Sequence, residues 1–285
     1  MRFLFALGIA LALLGPAQAT ARQDTLAQIK ETSTMRIGFR KSEPPMSFVD
    51  AAGRPAGYSI DLCNRIAAGV RGVLKIPELE IEYVPVESTN RFSALGDNTI
   101  DILCGSTTKT IRRGELVDFT SLTFVTGAGL MSLKANGINE IGDLQGKRVG
   151  VVRETTTATA LQKAMSGSLI EAQIVNVGTA SAGLQALKSG EVDAFASDQV
   201  VLIGLILTSG ERDIYSLSPQ LYSFEPFALA VRRNDSDFRL VADAVLAQLY
   251  RSGAINGIYD KWFGKLAPEQ PNGLKTLYML GATPR

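Results

Sequence analysis

The stretch Thr99 to Arg113, TIDILCGSTTKTIRR, runs from an apolar segment into a Gly-Ser-Thr-Thr turn and ends on two arginines. TIDIL reads as a strand, and the hydroxyl-rich turn behind it as that strand's carboxyl end. In open α/β sheets, ligands bind outside the carboxyl ends of the strands. Three chemistries compete for this turn: a cysteine nucleophile at Cys104, a phosphate loop, or a clamp for some other anion.

Working outward, MRIGFR is a short strand from Met35 to Phe39, followed by the Pro44-Pro45 break and a hairpin turning at Ala52-Gly53. SIDLCNRIAAGV follows with Ser59 as N-cap and Leu62, Ile66 and Val70 at helical spacing. IEYVPV is a strand, and STNRFSALGDN a short helix capped at Ser88. A polar helical lead occupies Thr25 to Thr34. Alternating strand and helix is the signature of a parallel or mixed sheet covered on both faces.

The alternation restarts in KRVGVV, TTTATALQKAM, AQIVNV, SAGLQALKSG, VDAFAS and DQVVLIGLIL. Two such units imply two lobes. FTSLTFVTGAGLMSLK lies between them and LYSFEPFALAVRR after the second; both are extended and lack a flexible Gly/Ser run. They read as two crossover strands, with FRLVADAVLAQLYRSG and INGIYDKWFGKL returning as helices to the first lobe. The expected division is residues 20–127 plus 226–285 for lobe 1 and 128–225 for lobe 2. A chain that crosses twice holds a hinged pair with a cleft between.

Residues 1–19, MRFLFALGIALALLGPAQA, place one arginine before an apolar run and close on Ala-Gln-Ala, the pattern of a cleaved signal peptide. The apolar run is about a dozen residues against the roughly 20 of a spanning helix. Removing Arg2 takes the formal net charge from +1 to zero, and nothing in the composition suggests nucleic acid. The chain contains no histidine, which removes Ser-His-Asp and Cys-His triads and histidine metal sites. No metal or other cofactor is expected. With only Cys63 and Cys104 in an exported chain, a disulfide is the better reading, against a metal site or a reactive thiol. A bridge would leave Cys104 no role as nucleophile.

Polar groups recur at the expected strand ends: Arg40, Ser88 and Arg91, Ser106 and Thr108, Thr155 and Thr156, and Asp198, with Arg113 closing the opening stretch. The hydroxyls could equally be helix caps, and a helix N-terminus that needs capping is also an anion site. A phosphate loop requires GxxxxGK[ST], which the chain lacks. The arginines favour a carboxylate, which a guanidinium grips with two parallel bonds. Asp198 beside them would suit an ammonium group.

IGFRKSEPPMSFVD, GYSIDLC, ESTNRFSAL, DILCGSTTKTIRR, GDLQGKRVGVV, LKSGEVDAFASDQ and YDKWFGK together resemble the periplasmic amino-acid-binding proteins of ABC importers, the family 3 solute-binding proteins, and within them the glutamate/aspartate-binding branch. The resemblance implies a type II periplasmic binding protein fold and a monomer that delivers an amino acid to an inner-membrane permease. It places the ligand α-carboxylate on Arg113, Thr108 and the Thr155-Thr156 helix start, and the α-ammonium on Asp198 and Ser106. A side-chain carboxylate would meet Arg40 and Arg91, with Ser88 nearby. The chain departs from the branch at Glu154, where glycine is usual, at Ala180 in place of a histidine, and at Glu43 and Met46 where many members carry an aromatic. Those departures leave glutamine, asparagine or another polar amino acid open. The competing class is an enzyme on the same fold, a cyclohexadienyl dehydratase acting on prephenate or arogenate, with Glu154 as general acid. A sensory module working through a separate partner is a third.

Overall fold

The computed structural model describes residues 24–284; the signal-peptide reading of residues 1–19 lies outside them. Helix α1 (Thr25–Thr32) leads into β1 (Thr34–Phe39) and the short strands β2 (Ser42–Glu43), β3 (Ser47–Val49) and β4 (Pro55–Ala56). Helix α2 (Tyr58–Leu74), β5 (Glu80–Pro85), α3 (Arg91–Gly96), β6 (Ile102–Cys104) and the long β7 (Val117–Thr126) follow. The second unit contains β8 (Ala128–Leu133), β9 (Arg148–Val152), α4 (Thr156–Gly167), β10 (Gln173–Val177), α5 (Ala180–Lys188), β11 (Ala194–Asp198), α6 (Gln199–Ser209) and β12 (Tyr215–Leu217). Strand β13 (Glu225–Arg232) returns the chain, and α7 (Ser236–Ser252), α8 (Ala254–Phe263) and α9 (Asn272–Gly281) end it.

Two mixed five-stranded sheets result, in the orders β5-β1-β6-β13-β7 and β10-β9-β11-β8-β12. In the first, β1 runs parallel to β5 and β6, while β13 is antiparallel to β6 and β7. In the second, β9 runs parallel to β10 and β11, while β8 is antiparallel to β11 and β12. The architecture is the expected two-lobed α/β fold. Helical spacing in α2 holds: Leu62, Ile66 and Val70 are all fully buried. Each such side chain contributes roughly 1.5–3 kcal/mol by leaving water.

The chain crosses between lobes where β7 passes through Gly127 into β8, and again where β12 leads towards β13. The crossings abut so closely that a Cβ on Gly127 would lie 2.4 Å from the Ser223 carbonyl oxygen. Tyr58, Phe124 and Phe263 form the aromatic centre of the first lobe.

Three local expectations change. Ser59 does not cap α2: the N-cap is Gly57 at φ 135°, where an added Cβ would meet the Met46 carbonyl at 2.3 Å. The Ser59 hydroxyl instead donates to the Gly105 carbonyl at 2.9 Å and so pins the turn after β6. Ser88 does not cap α3 either; Asn90 holds that position, and its side-chain oxygen accepts from the Glu87 amide at 2.8 Å. Helix α9 lies beyond the last expected helix. It buries Leu274 and Tyr278, the tyrosine hydroxyl bonding that of Tyr58 at 2.7 Å.

Candidate functional site

Because β1, β5 and β6 are parallel, their carboxyl ends share one edge of the first lobe; β9, β10 and β11 do the same for the second. The two edges face each other. Arg40 follows β1, Arg91 follows β5, Ser106 and Thr108 follow β6, Thr155 and Thr156 follow β9, and Asp198 ends β11. All of these, with Arg113, line one small cavity.

The turn after β6 is held by covalent and steric means. A disulfide ties Cys63 of α2 to Cys104, Cα to Cα 6.4 Å, so the opening cysteine is a staple. Gly105 lets the Arg40 side chain pass, since a Cβ there would lie 3.0 Å from Arg40 Cγ. Arg113 Nη1 donates to the Thr108 carbonyl at 2.8 Å. Arg91 donates to the carbonyls of Ser88 at 2.5 Å and of Glu154, across the cleft, at 3.1 Å. Both guanidiniums lie over the Phe92 ring, at 4.6 and 5.5 Å from its centroid. The flat ring keeps the forks oriented without consuming a donor.

Two carboxylates that were not expected as site residues shape the rest. Glu225, at the start of β13, is 2% exposed. Its Oε2 accepts from Thr108 of one lobe at 2.6 Å and from Thr156 of the other at 2.7 Å, and its Oε1 from Ser223 at 2.6 Å. It ties both lobes to the crossover. The one signal for it in the sequence is a lone acid opening an apolar strand. Glu43 lines the cavity beside Arg40, its Oε1 3.1 Å from Arg40 Nη2 and its Oε2 accepting from Ser106 at 2.6 Å.

Not all the hydroxyls are alike. Thr155 serves the helix: it caps α4 by accepting from the Ala158 amide at 3.1 Å and donates to the Val152 carbonyl at 2.7 Å. Thr156 faces Thr108 at 3.2 Å. Ser88 is buried but lies outside the cavity lining. Asp198 occupies the N-cap position of α6 without making a side-chain cap bond; its Oδ1 accepts from the Thr157 hydroxyl at 3.5 Å, and the residue lines the cavity.

Charge is crowded here. Burial pushes the Asp198 carboxyl well above its usual range; Glu225 and Glu43 push the same way, and Arg113 opposes them. Arg91 is pushed down to about 9 by burial, then by Arg113 and Arg40, and burial likewise lowers Arg113. Guanidiniums that repel one another are stabilised by an incoming anion, and clustered carboxyls by a cation. A molecule bearing both charges answers both needs.

Glu154, the candidate general acid, is exposed and absent from the cavity lining. It adopts φ 59°, the left-handed region that glycine enters freely, and what it offers the site is its carbonyl, to Arg91. Among the described residues there is no cluster of His, Cys, Asp and Glu able to hold a metal ion.

Comparisons with known proteins agree with this geometry. Over 267 residues the chain is 34% identical to the L-glutamate/L-aspartate-binding protein of Pseudomonas aeruginosa, covering 93% of this chain and 88% of the relative. Among solved structures, an ancestral arginine-binding protein bound to glutamine superposes with a TM-score of 0.73 at 29% identity, covering 81% of this chain and 98% of the other. An ancestral amino acid-binding protein described as a precursor of cyclohexadienyl dehydratase gives a TM-score of 0.74 at 25% identity, covering 84% and 100%. Residues 35–265 match the family described as bacterial extracellular solute-binding proteins, family 3. Two sheets facing across a charged cleft are therefore the frame of a known binder, and the chain belongs to the family 3 bacterial extracellular solute-binding proteins.

Proposed function

We propose that the chain captures an acidic amino acid, glutamate or aspartate, between two closing lobes and delivers it to an ABC permease. The observation that carries this reading is the convergence of Arg40, Arg91, Arg113 and Asp198 on one cavity. Arg113, with Thr108 and the start of α4, takes the α-carboxylate; Asp198 and Ser106 take the α-ammonium; Arg91 takes the side-chain carboxylate. Residues 20–127 with 226–285, and residues 128–225, act as the two closing bodies. The protein works as a periplasmic monomer after its signal peptide is removed, and it binds without catalysis.

Charge-assisted hydrogen bonds contribute roughly 1.5–3 kcal/mol each, so three or four net contacts reach the roughly 8 kcal/mol of micromolar affinity. Calorimetric titration of ligand-stripped, refolded protein with glutamate, aspartate, glutamine, asparagine, arginine and prephenate tests the proposal. One-to-one binding of an acidic amino acid supports it. Heat from prephenate alone would reject it in favour of the dehydratase.

A further inference from the structure

Three guanidiniums line the cavity, but they are not equally available. Among the described residues, neither Arg91 nor Arg113 pairs with a carboxylate; they donate to carbonyl oxygens. Arg40 is different: Glu43 lies 3.1 Å from it and Glu87 3.6 Å. Glu43 is 9% exposed and sits on strand β2, where it pairs with Ser47 of β3, so a pleated backbone holds it in place. It also fixes the Ser106 hydroxyl hydrogen, which leaves the lone pairs of Ser106 for an ammonium donor.

We propose that Glu43 is a specificity-determining residue: its carboxylate takes the place at Arg40 that a longer acidic side chain would need, so the cleft prefers aspartate to glutamate. This rests on the acidic-amino-acid reading above. Arg91 and Arg113 both lie over the Phe92 ring, and with Arg40 engaged by Glu43 they are the two guanidiniums left for the two carboxylates of the ligand, a set that the shorter, four-carbon diacid fills without reaching Arg40. A fifth carbon would carry the distal carboxylate further, where Glu43 adds like-charge repulsion and occupies the small cavity. Removing Glu43 frees both the space and the Arg40 fork.

The test measures dissociation constants for L-aspartate and L-glutamate, with L-asparagine and L-glutamine as controls, on ligand-stripped wild type, Glu43→Ala and Glu43→Gln. The ratio of the two acids is the readout, because a general loss of ammonium binding cancels in it. Wild type is expected to favour aspartate. In Glu43→Ala the ratio moves towards glutamate by roughly ten- to a hundredfold, the effect of one charge-assisted hydrogen bond. Glu43→Gln, nearly the same shape without the charge, moves the ratio in the same direction and covers the case in which the alanine variant does not fold. A wild type that prefers glutamate, or a ratio unchanged within about twofold in both variants, overturns the inference while leaving the acidic-ligand reading intact. Binding of neutral amino acids alone by the wild type overturns both.

Discussion

Gly204 offers a direct test of lobe closure. It lies within α6 of the second lobe, and a Cβ built on it would fall 2.0 Å from the carbonyl oxygen of Pro44, 2.3 Å from its carbon and 2.8 Å from Cδ of Pro45, all in the first lobe. Ordinary van der Waals contact begins near 3.4 Å, so Gly204→Ala forces these faces apart by about 1.4 Å. A separation of that size breaks the bond from Arg91 to the Glu154 carbonyl, now 3.1 Å, and the Thr156 to Thr108 contact, now 3.2 Å. One charged and one neutral hydrogen bond together are worth about 2–4 kcal/mol, a weakening of ligand binding by about 30- to 700-fold. With the lobes apart the substitution is harmless or favourable, because alanine within a helix is preferred over glycine by about 0.8–1 kcal/mol. Titration calorimetry gives the affinity and scanning calorimetry the ligand-free midpoint. The expected pattern is a weaker ligand and an unchanged or higher midpoint. An affinity within about twofold of wild type would refute the reasoning, since the ligand-bound protein would then not bring Gly204 against Pro44.

Four further outcomes are expected. Arg113→Ala abolishes binding of every amino acid, whereas Arg91→Ala weakens acidic ligands far more than neutral ones; equal losses for both classes would remove Arg91 from the side-chain site. Asp198→Asn prevents amino-acid binding yet raises the ligand-free midpoint at neutral pH. A carboxyl whose folded pKa is raised contributes stability at pH below its unfolded value, near 3.9, that is lost as pH rises through the folded pKa, so keeping this carboxyl in the fold at neutral pH costs stability that the non-titrating amide does not. A lower midpoint for the variant across pH 5–8 would contradict this. Replacing Cys63 and Cys104 by serine opens a bridge spanning a sequence separation of 41 and lowers stability by about 4 kcal/mol on the chain-entropy argument, read from denaturant midpoints. Glu225→Ala leaves the Thr108 and Thr156 hydroxyls without their shared acceptor and weakens ligand binding. An unchanged affinity, in a variant shown to be folded, would make Glu225 a structural group only.

The strand-helix alternation and most of the arginine cluster were legible because they are local patterns. A period-two apolar run followed by a hydroxyl-rich turn marks a strand end wherever it occurs, and parallel strands bring such ends to one edge. Caps were less legible. Ser59 and Ser88 looked like N-caps, but the tight approach of Met46 requires Gly57 at the start of α2, and Asn90 lies nearer the start of α3. Cap choice depends on what the preceding loop packs against, which no single window of sequence contains.

By itself the sequence determined the two-lobed α/β class, the two crossovers, the pairing of the only cysteines and the set of cations that could meet an anion. These follow from periodicity, turn chemistry and residue inventory, which act over a few residues or over the whole count. Tertiary structure decided which charges remain available. Glu43 and Glu225 are carboxylates like the others in the chain until folding places one against Arg40 and the other between Thr108 and Thr156. Whether a guanidinium is free for a ligand depends on neighbours far away in sequence, because at contact distance and low exposure a single opposing charge outweighs any local preference.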